Sequence, residues 1–274
     1  MNDTLSIGLI ADIHYGSDKK SKLGSKAIEL LQPIINQFNS LNLDLVIDLG
    51  DRINNCENEE DKRNLYAVAN EFMNMHCPRV HMLGNHDVKN VEVLDQEKIL
   101  MCNLNNYVIV INGWQLIFLN EDIYFKNDGF YFSQATLEFV KSVLLTTEMP
   151  CIVFSHLPFS SSSMVGNYYF EEKFSFAYEY KNANEMRAII RQYGNVVAVV
   201  TAHVHWNSIV TIDGIHYLTV QSLTESFTTH PLPANSWAVL KLSKDILDFN
   251  VEGNDPFSVK VKLKKYRHHW STPD

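Results

Sequence analysis

The chain runs to 274 residues, room for one or two ordinary domains and for a full buried core. Hydrophobic residues make up 46% and charged residues 20%, which excludes collagen-like, disordered and disulfide-scaffold classes. The formal net charge of -9 excludes a broad basic face that binds nucleic acid by neutralising phosphates, and taken by itself it discourages any anionic substrate.

The first eighty residues alternate between two patterns. Leu5 to Ala11 is a short apolar run that predicts a strand stopping at Asp12. Ser25 to Phe38 carries Ala27, Leu30, Leu31, Ile34, Ile35 and Phe38 at helical spacing, with Pro33 arguing against one unbroken helix. Leu45 to Ile47 predicts a second strand ending at Asp48 to Asp51, Glu60 to Met75 a helix, and Val80 to Leu83 a third strand ending at Gly84. That order is the signature of an α/β layer with buried parallel strands. Further on, Tyr107 to Ile111 and Trp114 to Leu119 flank Asn112-Gly113, a dipeptide that tolerates the positive φ angles of a tight hairpin. Ser133 to Leu145 reads as a helix with a Ser N-cap, Cys151 to Phe154 as a strand, Asn184 to Tyr193 as a helix and Val196 to Thr201 as a strand. Ser208 to Ile212 and Ile215 to Val220 around Asp213-Gly214 predict another hairpin, and Ala238 to Leu242 with Phe257 to Leu263 complete a strand-rich end. No composition break marks a linker and no repeat recurs, so residues 1–274 are expected to form one mixed domain.

Two segments stand apart. Leu157 to Lys181 is long for a loop and holds Tyr168, Tyr169, Phe170, Phe174, Phe176, Tyr178 and Tyr180; it either lines a substrate pocket or folds its aromatics back onto the core. Residues 257–274 read as a strand and a basic tail, with Lys260 and Lys262 alternating with Val259, Val261 and Leu263 as in an edge strand protected by lysines. Cys56, Cys77, Cys102 and Cys151 form no Cys-x-x-Cys pair, which suits reduced thiols better than a zinc site or disulfide framework. No apolar run approaches the ~18 residues of a spanning helix and no signal-peptide pattern opens the chain, so a cytoplasmic protein without a membrane partner is expected.

The residues able to bind metal lie where the strands stop. Asp12-Ile13-His14, Gly50-Asp51, Gly84-Asn85-His86-Asp87, Ser155-His156-Leu157-Pro158 and Ala202-His203-Val204-His205 each follow an apolar run. Loops after the C-terminal ends of parallel strands converge on one edge of a sheet, which could bring two Asp, one Asn and four His to a single point. Singly these segments are ordinary turns; their order after successive strands carries the reading. If the backbone is extended there, Asp12 and His14 point one way, as do His203 and His205, so each pair can grip a metal from one side.

This set of motifs, from about Asp12 to His205 and in this order, resembles the calcineurin-like metallophosphoesterases. The resemblance implies an α/β fold, a four-layer αββα sandwich of mixed sheets flanked by helices, with a dinuclear metal site at the sheet edge. It further implies that Asp12, His14 and His205 hold one ion together with Asp51. Asp51 would bridge to a second ion completed by Asn85, His156 and His203, while His86 would face the substrate, oriented by Asp87. Elementary chemistry agrees. Phosphoester hydrolysis needs charge neutralisation and a better nucleophile than water, and two divalent cations supply both. A carboxylate such as Asp51 can bridge because it offers two anionic oxygens. A ligand set of N and O without thiolate suits Mn or Fe, and also Zn, over Ca or Mg. His86 would stabilise the transition state or protonate the departing alkoxide. Two positions depart from the family pattern. Ala202 replaces a usual Gly, which costs little unless that residue needs a positive φ. Arg52 follows Asp51 in place of an apolar residue, either as a phosphate contact or as a surface ion pair.

The expected protein is a dinuclear metallophosphoesterase, and within that class a phosphodiesterase attacking a small nucleotide-like or other organic phosphate with a hydroxide that bridges the metals. The retained Asp-x-His resembles the bacterial cyclic-nucleotide phosphodiesterase branch. A phosphomonoesterase is the alternative; a non-catalytic scaffold of the same fold is disfavoured by the complete set of metal positions, and a nuclease by the missing basic face. Two divalent cations would reverse the local sign of charge, so the net -9 does not exclude a phosphate substrate.

Overall fold

A computed structural model describes residues 4–263. In chain order the strands are β1 (Leu5–Ile10), β2 (Leu45–Asp48), β3 (Arg79–His81), β4 (Tyr107–Ile111), β5 (Trp114–Leu119), β6 (Cys151–Ser155), β7 (Val196–Thr201), β8 (Ser208–Ile212), β9 (Ile215–Thr219), β10 (Trp237–Leu242), β11 (Ile246–Glu252) and β12 (Phe257–Lys262). The helices are α1 (Ala27–Ser40), α2 (Asn58–Phe72), α3 (Val93–Leu100), α4 (Gln134–Leu145) and α5 (Ala183–Tyr193). One sheet has the order β12-β11-β10-β1-β2-β3, and the other β4-β5-β6-β7-β9-β8. Within the first, β1, β2 and β3 are parallel; within the second, β5, β6, β7 and β9 are parallel.

The sheets face each other across Leu9, Ile47, Leu116, Phe118, Phe154, Val200, Leu240 and Phe249. On the outer side of the first sheet, Ile34, Ile35 and Phe38 of α1 pack with Val68 and Phe72 of α2 against Ile10 and Val46. On the outer side of the second, Leu137, Val140 and Leu144 of α4 and Met186 and Ile190 of α5 pack against Ile117 and Val153. The result is the four-layer arrangement that the resemblance implies. It also explains why the parallel strands read as unbroken apolar runs: Leu45 and Ile47 face the opposite sheet while Val46 faces the helices, so both faces are buried.

Helix α1 continues through Pro33, whose ring is on the exposed face while Leu31, Ile34, Ile35 and Phe38 are buried. Burial of that stripe outweighs the one lost backbone hydrogen bond. The two hairpins turn on positive φ angles, 49° and 80° at Asn112-Gly113 and 53° and 78° at Asp213-Gly214. Two elements escaped the sequence reading. Helix α3 is short, and β11 alternates buried Leu247, Phe249 and Val251 with polar Asp248 and Asn250. Strand β12 is the edge of the first sheet, with Lys260 and Lys262 exposed; the basic tail beyond Leu263 lies outside the described residues. All four cysteines are free thiols, and among the described residues no helix is long and apolar enough to cross a membrane.

Candidate metal centre

Strands β1, β2 and β3 in one sheet and β6 and β7 in the other end at a common edge, and the loops that follow are tied together by backbone hydrogen bonds. Asp12 N donates to Gly50 O (3.1 Å), His14 N to Asp51 O (2.9 Å) and Ala202 N to His156 O (2.9 Å). The sheets are joined where His203 N donates to Asp12 Oδ2 (3.1 Å) and Ser222 Oγ to Asp12 O (2.7 Å). The loops after β2 and β3 approach so closely that two glycines are required. Gly50 has φ +97°, and a Cβ there would meet Gly84 N at 2.5 Å; a Cβ on Gly84 would lie 2.2 Å from Asp51 Oδ1.

Five of the expected ligands hold left-handed backbone: Asp12 (φ 49°), His14 (48°), Asp51 (56°), His203 (71°) and His205 (55°). The extended backbone expected at Asp12/His14 and His203/His205 is therefore not what aims these pairs; left-handed turns do. Each non-glycine residue there costs about 1–2 kcal/mol, a cost of the kind that concentrates at functional sites. Ala202 is not among the residues with positive φ, so its substitution for the family glycine carries no strain.

The side chains converge. His14 Nε2 lies 3.0 Å from His205 Nε2, and Asp12 Oδ1 is 3.4 Å from His205 Nε2 and 3.9 Å from His14 Nε2. Asp51 Oδ2 sits between the two halves, 3.7 Å from His14 Nε2 and 3.4 Å from His156 Nε2. The donor atoms of Asp12, His14 and His205, and those of Asp51, His156 and His203, each fall within 4.8 Å of one another, as do those of His14, Asp51 and His86. Imidazole tautomers are set from behind: His156 Nδ1 pairs with Leu49 O (2.9 Å), His203 Nε2 with Ala177 O (3.0 Å) and His205 Nδ1 with Glu225 Oε2 (2.8 Å). Each contact leaves the opposite nitrogen as the lone-pair donor, the arrangement that orients histidine on a metal.

The charges are unbalanced in a way a cation would correct. Burial works to raise Asp51, but the neighbouring His156, His86 and His14 overcome it and hold the carboxyl well below the usual range. Burial likewise opposes protonation of His156 and His205, yet Asp51 pushes the first up to about 9, and Asp12 with Glu225 pushes the second up to about 9. Burial pulls His86 and His203 down to about 3. Two imidazoles thus collect protons where positive charge is wanted. Asp12 Oδ1, Asn85 Oδ1 and His156 Nε2 are buried with no hydrogen-bond partner, and all three are donors a divalent cation would satisfy. The residues present fit a pair of divalent ions that shares Asp51.

The calcineurin-like phosphoesterase family model matches residues 5–207. The chain belongs to that family. A manganese-dependent ADP-ribose/CDP-alcohol diphosphatase of Arabidopsis thaliana is 33% identical over 133 residues, 40% of this chain and 43% of that protein. The match thus spans less than half the length of this curated relative. Among solved structures, a dimetal phosphatase from Danio rerio superposes with a TM-score of 0.76 at 16% identity, covering 95% of this chain and 99% of that one. A purple acid phosphatase from yellow lupin gives 0.66 at 12% identity, covering 96% and 54%. The anchor protein of the Plasmodium inner membrane complex gives 0.60 at 14% identity, covering 96% and 90%. At these identities the likeness shows the fold alone.

Within this calcineurin-like frame, two residues depart from the role expected of them. Arg52 is fully buried and does not line the cavity: its guanidinium pairs with Asp48 (2.8 Å) and Asp87 (3.2 Å) and donates to Met82 O. It is a buried ion-pair centre, not a surface pair or a phosphate contact. Asp87 accepts from Asp51 N (2.8 Å), Gly84 N (2.9 Å) and Arg52 N (2.9 Å), so it shapes the Asp51 loop and does not hold the His86 ring. His86 donates its backbone N to Asp51 Oδ1 (2.7 Å), meets His14 edge-on at 4.8 Å, and keeps Nδ1 without a partner. Glu225 was missed. It sits in the loop after β9, which the sequence reads as half of a hairpin and which the sheet pairs parallel to β7, so no local signal marked its loop as one that meets the others.

Above the centre is a cavity of about 610 Å³ floored by Asp51, Asn85, His86, His203 and His205. The segment from Leu157 to Lys181 divides between core and cavity. Phe159 and Tyr180 enter the core, whereas Tyr169, Phe170, Phe174 and Phe176 line the cavity. Trp206 packs beside Met164, Phe170 and Val204 and stays out of the lining.

Proposed function

We propose that this chain is a metal-dependent phosphohydrolase, and within that class a phosphodiesterase acting on a small nucleotide-like or other organic phosphate. The observation that carries the reading is the convergence of two ligand groups on one shared carboxylate, Asp51, at the floor of a large cavity with an aromatic mouth. Asp12, His14 and His205 would hold one ion with Asp51, and Asn85, His156 and His203 would complete the second. When bound, such a pair neutralises the phosphoryl oxygens and acidifies a water. The chain's own residues do the rest. Glu225, Leu49 O and Ala177 O lock three imidazoles in orientation. His86, adjacent to Asn85 and open to the cavity, donates a hydrogen bond to the oxygen on which charge grows as the ester bond breaks.

The diester reading is favoured over the monoester by the room available. A cavity of this volume with aromatic walls accommodates an organic group on each side of phosphorus, whereas a monoester uses one. Manganese is the favoured metal, by the donor set and by the manganese-dependent relative. The test is turnover of p-nitrophenyl phosphate, its bis ester, cyclic AMP and ADP-ribose by protein loaded with manganese. Diester cleavage above monoester cleavage is expected. Faster monoester cleavage would select the phosphomonoesterase, and no turnover of any by protein with two bound ions would sink the enzyme reading.

A further inference from the structure

The turn between β1 and α1 carries Lys19, Lys20 and Lys22, and all three line the cavity. Their surroundings differ. Lys20 is exposed, its Nζ 5.5 Å from the ring centre of Tyr169 and 5.4 Å from that of Phe174. Lys22 is only 6% exposed, and among the described residues its ammonium makes no hydrogen bond or ion pair. Its backbone is pinned on both sides: Lys22 N donates to Lys19 O (3.1 Å), Lys19 N to Lys22 O (2.9 Å), Leu23 N to Thr224 O (2.9 Å), and Lys22 bridges to Glu225. Ser21 is held by Tyr169 (2.9 Å) and by Ser226 (2.6 Å). The lysine is therefore fixed beside the metal-facing floor.

An ammonium on a buried lysine, partly stripped of water and without a partner, is costly, and such a group persists where a ligand completes it. Burial pulls Lys22 down to about 8, and the charges that offset this are Asp51, Glu225 and Asp12. Asp51 and Asp12 belong to the ligand set and Glu225 is committed to His205, so a charged ammonium is left facing the cavity. Beyond it the cavity opens between Phe125, Phe174 and Phe176, exposed by 40 to 48%. Lys22 lines the same cavity as that mouth and the metal-facing floor.

We propose that Lys22 is a specificity-determining residue that binds a second, non-reacting phosphate, so that the site selects organic diphosphates. This rests on the phosphohydrolase reading. In the reaction, the oxygen of water bonds to one phosphorus, and the bond from that phosphorus to the bridging oxygen breaks. The bridging oxygen keeps the electron pair as part of the second phosphate, and the two protons of water pass to products or solvent, leaving two phosphomonoesters. Lys22 faces the phosphate on which that charge accumulates.

The test compares ADP-ribose, with two phosphates, and thymidine p-nitrophenyl phosphate, a diester of one, in manganese-loaded wild type, Lys22→Met and Lys22→Arg. Wild type is expected to favour the diphosphate in kcat/KM. The ratio should fall about tenfold to a hundredfold in Lys22→Met, the loss of one charge-assisted hydrogen bond, and less in Lys22→Arg. Metal content and melting temperature are measured alongside. A ratio unchanged in Lys22→Met, or a wild type preferring the single phosphate, overturns the assignment. Calorimetric binding of ADP and AMP to the same proteins separates it from the reading beneath. If wild type turns over neither substrate yet binds ADP well above AMP, and Lys22→Met loses that difference, only the phosphohydrolase reading fails. Equal binding of ADP and AMP by wild type overturns the Lys22 assignment itself.

Discussion

The floor and the mouth of the cavity are made from different material. At the floor and just beneath it, Asp12, His14, Asp51, His156, His203 and His205 are at most 7% exposed, and three of the imidazoles are fixed from behind by a carbonyl or carboxylate. At the mouth, Tyr124, Phe125, Phe174 and Phe176 are 40 to 48% exposed and touch one another only edge-on, Phe125 to Phe176 at 5.9 Å and Phe174 to Phe176 at 6.3 Å. Metal chemistry tolerates little error in donor position, so the floor hangs from strand ends and accepts strained backbone. Substrate selection needs apolar surface more than exact position, and irregular segments supply it. Chemistry should accordingly fail when the floor changes, and selection when the mouth changes.

The sharpest way to break that contrast is Asp51→Ala. It removes the shared carboxylate, so metal analysis should find both ions lost and activity should fall to the buffer control; activity near wild type would refute the centre. His86→Ala should lower kcat about a hundredfold to ten-thousandfold while two ions per chain remain. Substantial metal loss would move His86 into the ligand set. Glu225→Ala should weaken metal binding about tenfold to a hundredfold by freeing the His205 ring, with activity restored at high manganese. Failure of excess metal to restore it would assign Glu225 a direct part in the chemistry. At the mouth, Phe176→Ala should raise KM about twofold to tenfold, with kcat changing less. A fall in kcat alone would show that the mouth takes part in the chemical step.

The metal-free protein offers a test through pH. His156 and His205 are raised to about 9, so the stability they contribute is fully present below the ordinary imidazole value and is lost as pH rises through 9. His86 and His203, pulled down to about 3, act in the opposite sense, and their contribution is lost as pH falls below that ordinary value. The chelated protein should melt at a lower temperature at pH 9 than at pH 7, and the gap to the metal-loaded protein should widen over that interval. A melting temperature of the chelated protein that rises from pH 7 to pH 9 would contradict this charge arrangement.

Much of the floor was legible in the residue order, because each parallel strand announces itself as an apolar run and its ligand follows within a few positions. Asp12 after β1, Asp51 after β2, Asn85 after β3, His156 after β6 and His203 after β7 are all local signals. The left-handed backbone at five of the ligands was not legible, since Asp and His carry no mark of the φ they will be held to. Arg52 and Asp87 were misread for a related reason. Adjacency to a ligand in sequence says nothing about which way a side chain points: Arg52 turns inward to Asp48 and Asp87, and Asp87 turns inward to Arg52 and to the backbone N–H groups of Asp51 and Gly84.

By itself, then, the sequence determined the layered α/β architecture and the chemical type of the site, because burial pattern and ligand identity are properties of short segments. Only the tertiary structure decided which residues act through others. His14 and His205 meet across 191 positions, Glu225 reaches His205 from another strand end, and Lys22 is buried without a partner because a separate loop closes over it. Contacts of that kind are set by how two sheets and their crossovers pack, and no window of adjacent residues contains them.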